Sequence, residues 1–448
     1  MIQKSVKTFG RGVHPPEHKD ATKHRAVERL GFAPELVVPL QQHLGAPAQP
    51  VVQKGQEVGR GEPIAAATGF VSVPMHAPVT GVVAKVANAL VATGAMATAI
   101  VIKTNAESNQ EIVHTGEADI DAMTPEQIVA AVQDTGMVGL GGAAFPTHVK
   151  MAVPKGKSVE VVIANGCECE PFLTTDHRLM LEQPEELFRG IAIAVKATGA
   201  REAIIGIEDN KPDVIEALRS ALNRNAAGVP VRVEPVKTKY PQGAEKMLIK
   251  ALLHREVPSG GLPVDVGVAV FNVATLAQLG DLMPRRRGLI ERIVTITGPG
   301  VEKPGNYIIP LGTPLRFIFD HVGLRGEARQ IILGGPMMGL SVSSLDVPVT
   351  KGVSGILVLT EEETAARLKK IYPCIKCGQC IDACPVSLNP SLMGDLARRR
   401  DYKRMEEQYH LNDCFECACC TYVCPSNIPL VQHFRVAKAL NREKKAPR

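Results

Sequence analysis

Eight of the 11 cysteines form two runs near the end of the chain, and both runs have the same spacing. The spacing is Cys-x2-Cys-x2-Cys-x3-Cys-Pro, with thiols at Cys374, Cys377, Cys380 and Cys384 in the first run and at Cys414, Cys417, Cys420 and Cys424 in the second. Three thiolates at such short gaps lie on one tight loop, where each can bind a different iron of an iron–sulfur cube. The two runs therefore predict two [4Fe–4S] clusters.

The fourth cysteine of each run is expected to serve the other cluster, because this residue crosses over in ferredoxins with two clusters. We therefore expect set A to consist of Cys374, Cys377, Cys380 and Cys424, and set B to consist of Cys414, Cys417, Cys420 and Cys384. The proline that follows suits the first turn of a helix, so each fourth cysteine is expected to begin a helix. Cys419 lies outside the pattern and is expected to be buried beside a cluster.

Two other uses of cysteine fit the runs less well. A zinc site needs four ligands, usually from two Cys-x2-Cys pairs, and has no use for a third cysteine or a trailing proline. A disulfide framework spreads its cysteines through a short secreted chain, whereas these crowd into one stretch of a long one.

Length and composition indicate a multidomain protein with ordinary packed cores. The chain has 448 residues, of which 45% are hydrophobic, and domains usually have roughly 100–200 residues. The 51 Lys and Arg against 46 Asp and Glu give a net charge of +5, which is too small to predict a nucleic-acid partner. No apolar run reaches the ~18 residues of a membrane span. A cytosolic protein, or one held at a membrane by its partners, is expected.

Changes in residue pattern divide the chain into five segments. Residues 1–105 have the short apolar runs and regular turns of a small β unit. Residues 120–285 alternate strand and helix patterns, which predicts an α/β domain. The strands are expected at 159–164, 203–208, 231–235 and 266–273, and the helices at 124–133, 185–198, 212–223 and 243–253. Residues 290–345 resemble a compact α+β unit, 362–435 are helical around the cysteines, and 436–448 are a basic tail. A solvated helix end is the simplest explanation of that tail, and an anionic membrane surface is the alternative.

A glycine-rich loop follows the first helix of the α/β domain. Gly139, Gly141 and Gly142 fit the loose dinucleotide pattern G-x-G-x-x-A, but a helix rather than a strand precedes them, so a Rossmann unit is not expected. Successive small residues expose backbone N–H groups that can hold a phosphate, and a helix from about residue 145 would add its positive end. A plain tight turn is the alternative.

Two carboxylates follow the first predicted strand of this domain. Glu168 and Glu170 come three and five residues after Asn165, at a strand end of the kind where α/β sheets bind ligands. Burial of an unpaired Glu is costly, so the pair indicates a pocket. Solvated loop carboxylates beside structural cysteines are the alternative.

The N-terminal β unit resembles the barrel-sandwich hybrid of lipoyl and biotinyl carriers through its segment 76–83. Those carriers present a modified lysine on a hairpin tip, and the corresponding tip here, residues 69–74, has none. A docking module is therefore expected rather than a swinging arm. The histidines nearby, His14, His18 and His24, are expected to form loop and docking surface rather than a metal site.

Four motifs in the α/β domain resemble the flavin- and NADH-binding subunit of respiratory complex I, the 51-kDa type. They are G-x-G-G-x2-F-P-T-x2-K at 139–150, N-x2-E-x-E-P at 165–171, Y-P-Q-G-A-E-K at 240–246 and N-V-A-T-L at 272–276. A soluble-ligand-binding β-grasp (SLBB) segment follows from about 292. Together with the start G-V-H-P-P-E-H-K at 12–19, the β unit and the cysteine runs, the whole chain resembles the RnfC family, the C subunits of the Rnf (Rsx) ion-translocating electron transport complexes.

The resemblance implies a site for FMN that also accepts NADH. By position, Gly139, Gly141, Gly142 and Lys150 would hold the FMN phosphate, and Asn165, Glu168 and Asn272 would lie near the ring and ribityl chain. Phe145 would stack near the nicotinamide or adenine, Glu170 and Glu245 would contact NADH, and Gly243 and Thr275 belong to the third and fourth motifs. The chain departs from the pattern at Val138, Leu140 and Ala244, where the complex I subunits have charged residues.

The resemblance also implies a function. It is that of a peripheral NADH-oxidising subunit on the cytoplasmic face of a bacterial inner membrane, bound to the other Rnf subunits, with ferredoxin as an indirect redox partner. Hydride transfer needs no proton carrier from the protein, so no catalytic acid or base is expected. A soluble cobalamin-reductase-like protein and a flavin-free iron–sulfur relay are the alternatives.

Overall fold

The structure is a computed structural model that describes residues 6–113, 116–142, 144–224, 228–326, 328–367 and 370–445. Residues 1–5 of the predicted first domain, Ala143 of the glycine-rich loop and residues 446–448 of the predicted basic tail lie outside the described residues.

The first unit consists of two small antiparallel sheets. Its strands are β1 (Val27–Arg29), β2 (Glu35–Pro39), β3 (Gln49–Pro50), β4 (Glu57–Val58), β5 (Pro63–Ala66), β6 (Met75–His76), β7 (Gly81–Leu90) and β8 (Met96–Thr104). One sheet has the order β2-β8-β7-β4 and the other β3-β5-β6, while β1 joins a later sheet. Leu36, Ile64, Ile100 and Ile102 are fully buried between them. Alternate residues of a strand share a face, so Ile100 and Ile102 both point into this core.

The second unit is an open α/β sheet. Its elements are α1 (Pro125–Asp134), α2 (Thr147–Met151), β9 (Val161–Gly166), α3 (Thr175–Glu182), α4 (Pro184–Thr198), β10 (Glu202–Glu208), α5 (Pro212–Arg224), β11 (Val231–Val236), α6 (Glu245–Leu253), β12 (Val268–Asn272) and α7 (Val273–Leu282). These confirm the predicted strands and helices, with ends that differ by one or two residues. Helix α1 also has the predicted N-cap at Thr124, with Pro125 as its first residue. The side chains of Thr124 and Gln127 form a capping box there.

The order of this sheet creates a place for a ligand. The four strands are parallel in the order β11-β10-β9-β12. The chain leaves β9 toward one side of the sheet and returns on the other side as β12, so the carboxyl ends of β9 and β12 form a topological switch point. Asn165 and Asn272 are register partners at that point.

Helices α4 and α7 pack unusually closely on one side of the sheet. A Cβ atom on Gly190 would stand 1.8 Å from the carbonyl oxygen of Leu276, and one on Gly280 would stand 2.0 Å from that of Glu186. Only glycine permits this approach. The contact fixes α7, whose first turn lies at the switch point.

The third unit is a six-stranded sheet with one helix. Its elements are β13 (Glu291–Thr297), β14 (Gly305–Pro310), α8 (Leu315–Val322), β15 (Ala328–Leu333), β16 (Leu340–Val342) and β17 (Gly355–Thr360). The sheet order is β1-β14-β13-β17-β15-β16. Strand β1 of the N-terminal segment therefore completes this sheet, which ties the first unit to the third.

The last unit is helical, as predicted. Its helices are α9 (Glu361–Arg367), α10 (Gln379–Ala383), α11 (Pro390–Arg398), α12 (Tyr402–Glu407), α13 (Cys419–Tyr422) and α14 (Leu430–Lys445). In the part of the chain that the structure describes, no helix is at once long enough and apolar enough to cross a membrane.

The expectation that each fourth cysteine begins a helix was wrong. Helix α10 ends before Cys384, and α13 ends before Cys424. The helices begin instead after Gly378 and Ala418, which have φ angles of 81° and 63°. Proline disfavours helical backbone in the residue before it, and Cys384 is accordingly extended.

Candidate functional site

The glycine-rich loop lies at the switch point of the α/β sheet. The N–H of Leu140 donates to the hydroxyl oxygen of Thr275 over 2.9 Å, which joins the loop to the first turn of α7. The N–H of Gly139 donates to the carbonyl of Phe145 and closes the loop. A Cβ on Gly141 would stand 2.6 Å from Nδ2 of Asn272. The loop therefore rests on the end of β12, and only glycine fits at that contact.

The outer side of the same loop is open. Gly142 is exposed, and a Cβ built on it would have no heavy atom within 4 Å. The ring of Phe145 is 36% exposed at the end of the loop. A loop held from behind, with free space in front and an exposed aromatic ring beside it, has the form of a cradle for a phosphorylated ring compound.

Asn272 connects the loop to the neighbouring helix. Its side-chain oxygen accepts from the N–H groups of Ala274 and Thr275 at 2.9 and 3.2 Å and caps α7. Its amide nitrogen donates to Asp176 over 2.7 Å. Both polar atoms of this side chain are thus used, and the residue has one orientation.

Asn165 organises the end of β9 in the same manner. Its amide nitrogen donates to the carbonyl of Gly243 over 2.8 Å, and its oxygen accepts from the N–H of Cys167 over 3.1 Å. A Cβ on Gly243 would stand 2.4 Å from the carbonyl oxygen of Cys167. The second and third motifs therefore meet at this strand end.

The two predicted pocket carboxylates have partners within the protein. Glu168 is 6% exposed and accepts from the hydroxyl of Thr175 and from the N–H groups of Asp176 and His177 at the start of α3. Glu170 accepts from the N–H groups of Met337 and Met338 of the third unit. Glu168 thus fixes a helix, while Glu170 holds the third unit against the site.

Lys150 and Glu245 contact each other directly. The ammonium group of Lys150 forms an ion pair with Glu245 and donates to the carbonyl of Val270 over 2.8 Å. Lys150, the predicted phosphate ligand, and Glu245, a predicted NADH contact, are therefore paired with each other beside β12.

Arg292 is a site residue that the sequence did not indicate. Its guanidinium group is buried and donates to the carbonyl of Leu140 over 3.1 Å and to that of Lys351. Burial lowers its pKa to about 10, which still leaves it cationic at neutral pH. A strand of the third unit thus places a positive charge directly behind the glycine-rich loop. A lone arginine so far along the chain from the motif carries no signal in the sequence.

Gln242 belongs to the third motif, but the sequence indicated no role for its side chain. Its side chain is fully buried, and neither its nitrogen nor its oxygen has a hydrogen-bond partner among the described residues. Buried polar groups without partners are rare, so they indicate a missing ligand or water. The residue lies beside Gly243 in the third motif, which fits a bound polar cofactor.

The buried carboxyls near the site give a testable pH dependence. Burial raises the pKa of Glu170 to about 7, and burial together with Glu168 raises that of Asp176 to about 7. The folded protein therefore holds these protons between about pH 4 and 7, where the unfolded chain releases them. The stability contributed by the neutral forms is complete at low pH and is lost as the pH rises through 7.

Glu170→Gln should therefore raise the melting temperature at pH 8 more than at pH 5. The N–H groups of Met337 and Met338 donate to different carboxylate oxygens, so the amide oxygen keeps one of these two hydrogen bonds. The loss of the other is outweighed at pH 8, because the cost of ionising the buried carboxyl, on the order of 3 kcal/mol, disappears. Thermal melts at the two pH values measure the difference. The same substitution at the exposed Glu107 is the control, and an equal gain at both pH values would contradict the assignment.

The cysteines of each crossed set are neighbours in space. Burial raises the pKa of Cys380, and nearby thiols that act in the same direction are Cys377, Cys424 and Cys374. Burial also raises the pKa of Cys420, and its corresponding neighbours are Cys414, Cys417 and Cys384. The fourth cysteine of each run thus lies beside the other run. Their role as ligands stays a prediction.

Set B surrounds a cavity. The cavity is small, about 20 Å³, and its lining includes all four thiols of the set together with Phe415, Val431 and Phe434. Thiolates in an apolar cavity are the environment in which proteins hold iron–sulfur clusters. Among the residues that the structure describes, no group of three or more His, Cys, Asp or Glu side chains is arranged so that it could bind a single metal ion.

The two sets differ in position. Set B adjoins the α/β unit, since Cys417 and Cys419 pack in an apolar cluster with Tyr240 and Cys169. In set A, Cys374 and Cys377 are exposed. Cys419 is fully buried beside Cys417, as expected.

Family models match four parts of the chain. They are described as the RnfC barrel sandwich hybrid domain at residues 7–107, the Nuo51 FMN-binding domain at 132–281, the SLBB domain at 293–341 and the 4Fe-4S dicluster domain at 373–428. The predicted fold class is thereby confirmed. FMN and two [4Fe–4S] clusters are confirmed as the cofactors, and zinc is set aside.

Curated relatives match over nearly the whole chain. The chain is 41% identical over 438 residues to the C subunit of the proton-translocating ferredoxin:NAD(+) oxidoreductase complex of Clostridium ljungdahlii, covering 98% of this chain and 94% of that one. It is 42% identical to the corresponding subunit of the Na(+)-translocating complex of Acetobacterium woodii, covering 89% of each. The C subunit of an ion-translocating oxidoreductase complex of Rhodobacter capsulatus is 39% identical over 438 residues and is covered to 83%.

A solved structure shares the fold. An NAD+-reducing [NiFe]-hydrogenase in the air-oxidised state matches with a TM-score of 0.53 and 20% identity, over 73% of this chain and 68% of that one. The fold, the glycine-rich loop and the cysteine sets define an oxidoreductase component that combines a flavin domain with an iron–sulfur domain. Within that class, the chain belongs to the RnfC family, the C subunits of the ion-translocating ferredoxin:NAD(+) oxidoreductase complexes.

Proposed function

We propose that this protein is the NADH-oxidising subunit of an ion-translocating NADH:ferredoxin oxidoreductase. The observation that carries the proposal is the joining of two sites: the cradle at the switch point and the thiols of set B both border the α/β unit. Relatives with 39–42% identity are named as subunits of such complexes, which supports the assignment.

The bound cofactors supply the redox chemistry: FMN accepts a hydride from NADH and releases electrons singly, and iron–sulfur clusters carry single electrons. The protein binds and orients them. Gly141 and Gly142 would offer backbone N–H groups to the flavin phosphate, and Gly139, whose own N–H donates to the carbonyl of Phe145, would hold the loop closed. The charge of Arg292 lies behind the loop. Lys150 adds a cation at the edge of β12.

Other residues shape the rest of the site. Asn165 and Asn272 hold the strand ends that would lie near the flavin ring, and Glu168 fixes the start of α3 beside them. Phe145 offers a ring for stacking. Glu170, together with Glu245, would accept hydrogen bonds from the dinucleotide.

The names of the relatives support an association with a membrane complex. Within the proposal, the chain is a peripheral subunit on the cytoplasmic face of a bacterial inner membrane, held there by the other Rnf subunits. Electrons pass through those subunits to ferredoxin, and the flow is reversible and coupled to cation movement. Relatives named for protons and for Na(+) support the coupling but leave the ion open.

Anaerobic NADH titration of the isolated, iron-replete protein tests the function. Addition of NADH should bleach the visible absorbance of both the flavin and the iron–sulfur clusters. Flavin-depleted protein is the control, and it should respond only after FMN is added back. A flavin-free relay would show no FMN requirement, and protein that NADH never reduces would exclude the proposal.

Lys150→Ala should weaken FMN binding about tenfold, because one charge-assisted contact near the phosphate is lost, at a cost of ~1.4 kcal/mol. Fluorescence titration of the flavin-depleted protein measures the dissociation constant. Lys155→Ala removes an exposed charge a little further along the chain and should change nothing. Equal FMN content in the Lys150 variant and the wild type would remove Lys150 from the site.

A further inference from the structure

Lys19 is a buried cation from the N-terminal segment that reaches into the α/β unit. Its side chain is 5% exposed, and its ammonium group donates to the carbonyls of Glu168 at 2.8 Å, of Glu170 at 3.1 Å and of Leu173. An ammonium group has three donors, so all of them are used on this one loop. Three converging carbonyls without a cation would repel each other, so the lysine determines the shape of residues 168–173.

The same segment supports the loop from outside. The N–H of Phe172 donates to the carbonyl of Glu17 over 2.8 Å, and the ring of His18 stacks on the ring of Phe172 with centroids 4.7 Å apart. Both stacked residues have positive φ angles, 50° for His18 and 72° for Phe172. The two strained backbones thus hold each other in place although they are far apart in the sequence.

A buried polar chain extends this contact to the third unit. The hydroxyl of Thr174 donates to that of Thr22 over 2.7 Å, and the amide of Asn306 donates to the carbonyl of Thr22 over 3.1 Å. The N–H of Thr174 donates to Thr295. The loop that carries the site carboxylates is therefore clamped between the N-terminal segment and the third unit.

Charge favours the same arrangement. Burial lowers the pKa of Lys19, and the carboxylate of Glu168 opposes that effect. The other charged or ionisable groups that face it are Lys211, Glu208 and Cys169. Lys211 and Glu208 are 1% exposed and pair with each other over 2.6 Å, which leaves Glu168 as the counter-charge of Lys19. The charge of Lys19 is therefore balanced by a carboxylate of the same loop whose carbonyls it binds.

We propose that Lys19 is a positioning residue for NADH, holding the loop of residues 168–173 so that Glu170 meets the dinucleotide. The proposal rests on the proposed function. The three hydrogen bonds of Lys19 all go to backbone carbonyls of the loop. It therefore acts through Glu170, whose carboxylate is held from the other side by Met337 and Met338.

Lys19→Met tests this by removing the charge while keeping most of the side-chain volume. We expect the dissociation constant for ADP-ribose, which carries no redox chemistry, to rise at least tenfold by calorimetry. The KM for NADH should rise in parallel, while kcat stays within threefold and the FMN and iron contents stay at the wild-type level. Lys23→Met is the matched control: Lys23 lies on the same segment but pairs with the exposed Asp20, and its variant should bind ADP-ribose normally.

If Lys19 were only structural, its loss would not weaken dinucleotide binding while leaving kcat and the FMN and iron contents unchanged. Unchanged ADP-ribose binding in a folded Lys19→Met protein, or loss of FMN and kcat with an unchanged KM, overturns the proposal. Wild-type protein that fails to oxidise NADH would instead overturn the proposed function, and the same assay shows it.

His18→Asn provides a test that does not disturb a buried charge. Asparagine tolerates a positive φ angle, so the backbone can stay as it is while the stack on Phe172 is lost. The dissociation constant for ADP-ribose should rise about threefold. If it equals that of the wild type, the segment does not position the loop.

Discussion

Replacing Cys380 and Cys424 with serine in one protein should remove one cluster, whereas replacing Cys380 and Cys384 should remove both. The first pair belongs to set A, in which the thiols neighbour each other across the two runs. The second pair takes one thiol from each set, although its members are closer in sequence. A cluster bound by four thiolates is disrupted by the loss of one, so the second loss within a set adds nothing.

Iron analysis and low-temperature EPR of the reduced proteins measure the outcome. The Cys380/Cys424 double variant should keep about half of the wild-type iron, as should either single variant, and the Cys380/Cys384 variant should keep almost none. Cys419→Ser is the control next to set B and should keep all of its iron. If the Cys380/Cys384 protein keeps half, each cluster is bound by a single run and the crossed sets are wrong.

The parts of this protein that the sequence predicts well are those set by local pattern. The strands and helices of the α/β unit follow from apolar periodicity and from caps such as Thr124, and the structure reproduces them almost residue by residue. The spacing of the cysteines is also a local pattern, because three thiols of each run lie on one loop and are close in sequence. The error at Cys384 was also local: the proline after it was assigned to a helix start, and its stronger effect was to end the preceding helix.

The parts that the sequence does not predict are contacts between distant residues. Arg292 reaches Leu140 across 152 positions, and Lys19 reaches Leu173 across 154. Arg292 is one ordinary basic residue in its own segment, so nothing in its surroundings marks it. Lys19 ends the G-V-H-P-P-E-H-K start at 12–19 that resembles the RnfC family, but this resemblance does not indicate a contact with the α/β unit.

Gly141→Ala and Gly142→Ala should separate the fold of the glycine-rich loop from its binding of FMN. At Gly141 the new Cβ would stand 2.6 Å from Nδ2 and 2.7 Å from Cγ of Asn272, a side chain with no free direction to move because it caps α7 and donates to Asp176. Such overpacking costs ~1–3 kcal/mol. The flavin-free Gly141→Ala protein should therefore melt several degrees below the wild type, and FMN should bind weakly.

At Gly142 the same methyl group meets nothing, since no heavy atom lies within 4 Å of its position. The flavin-free Gly142→Ala protein should melt at the wild-type temperature. Its affinity for FMN should fall at least tenfold, ~1.4 kcal/mol, because the methyl group occupies the space where the phosphate approaches the backbone N–H groups. Calorimetric melting without flavin and fluorescence titration with FMN give the two quantities. Wild-type FMN affinity in this variant would show that the open side of the loop is not the cradle, and an unchanged melting temperature for Gly141→Ala would contradict its contact with Asn272.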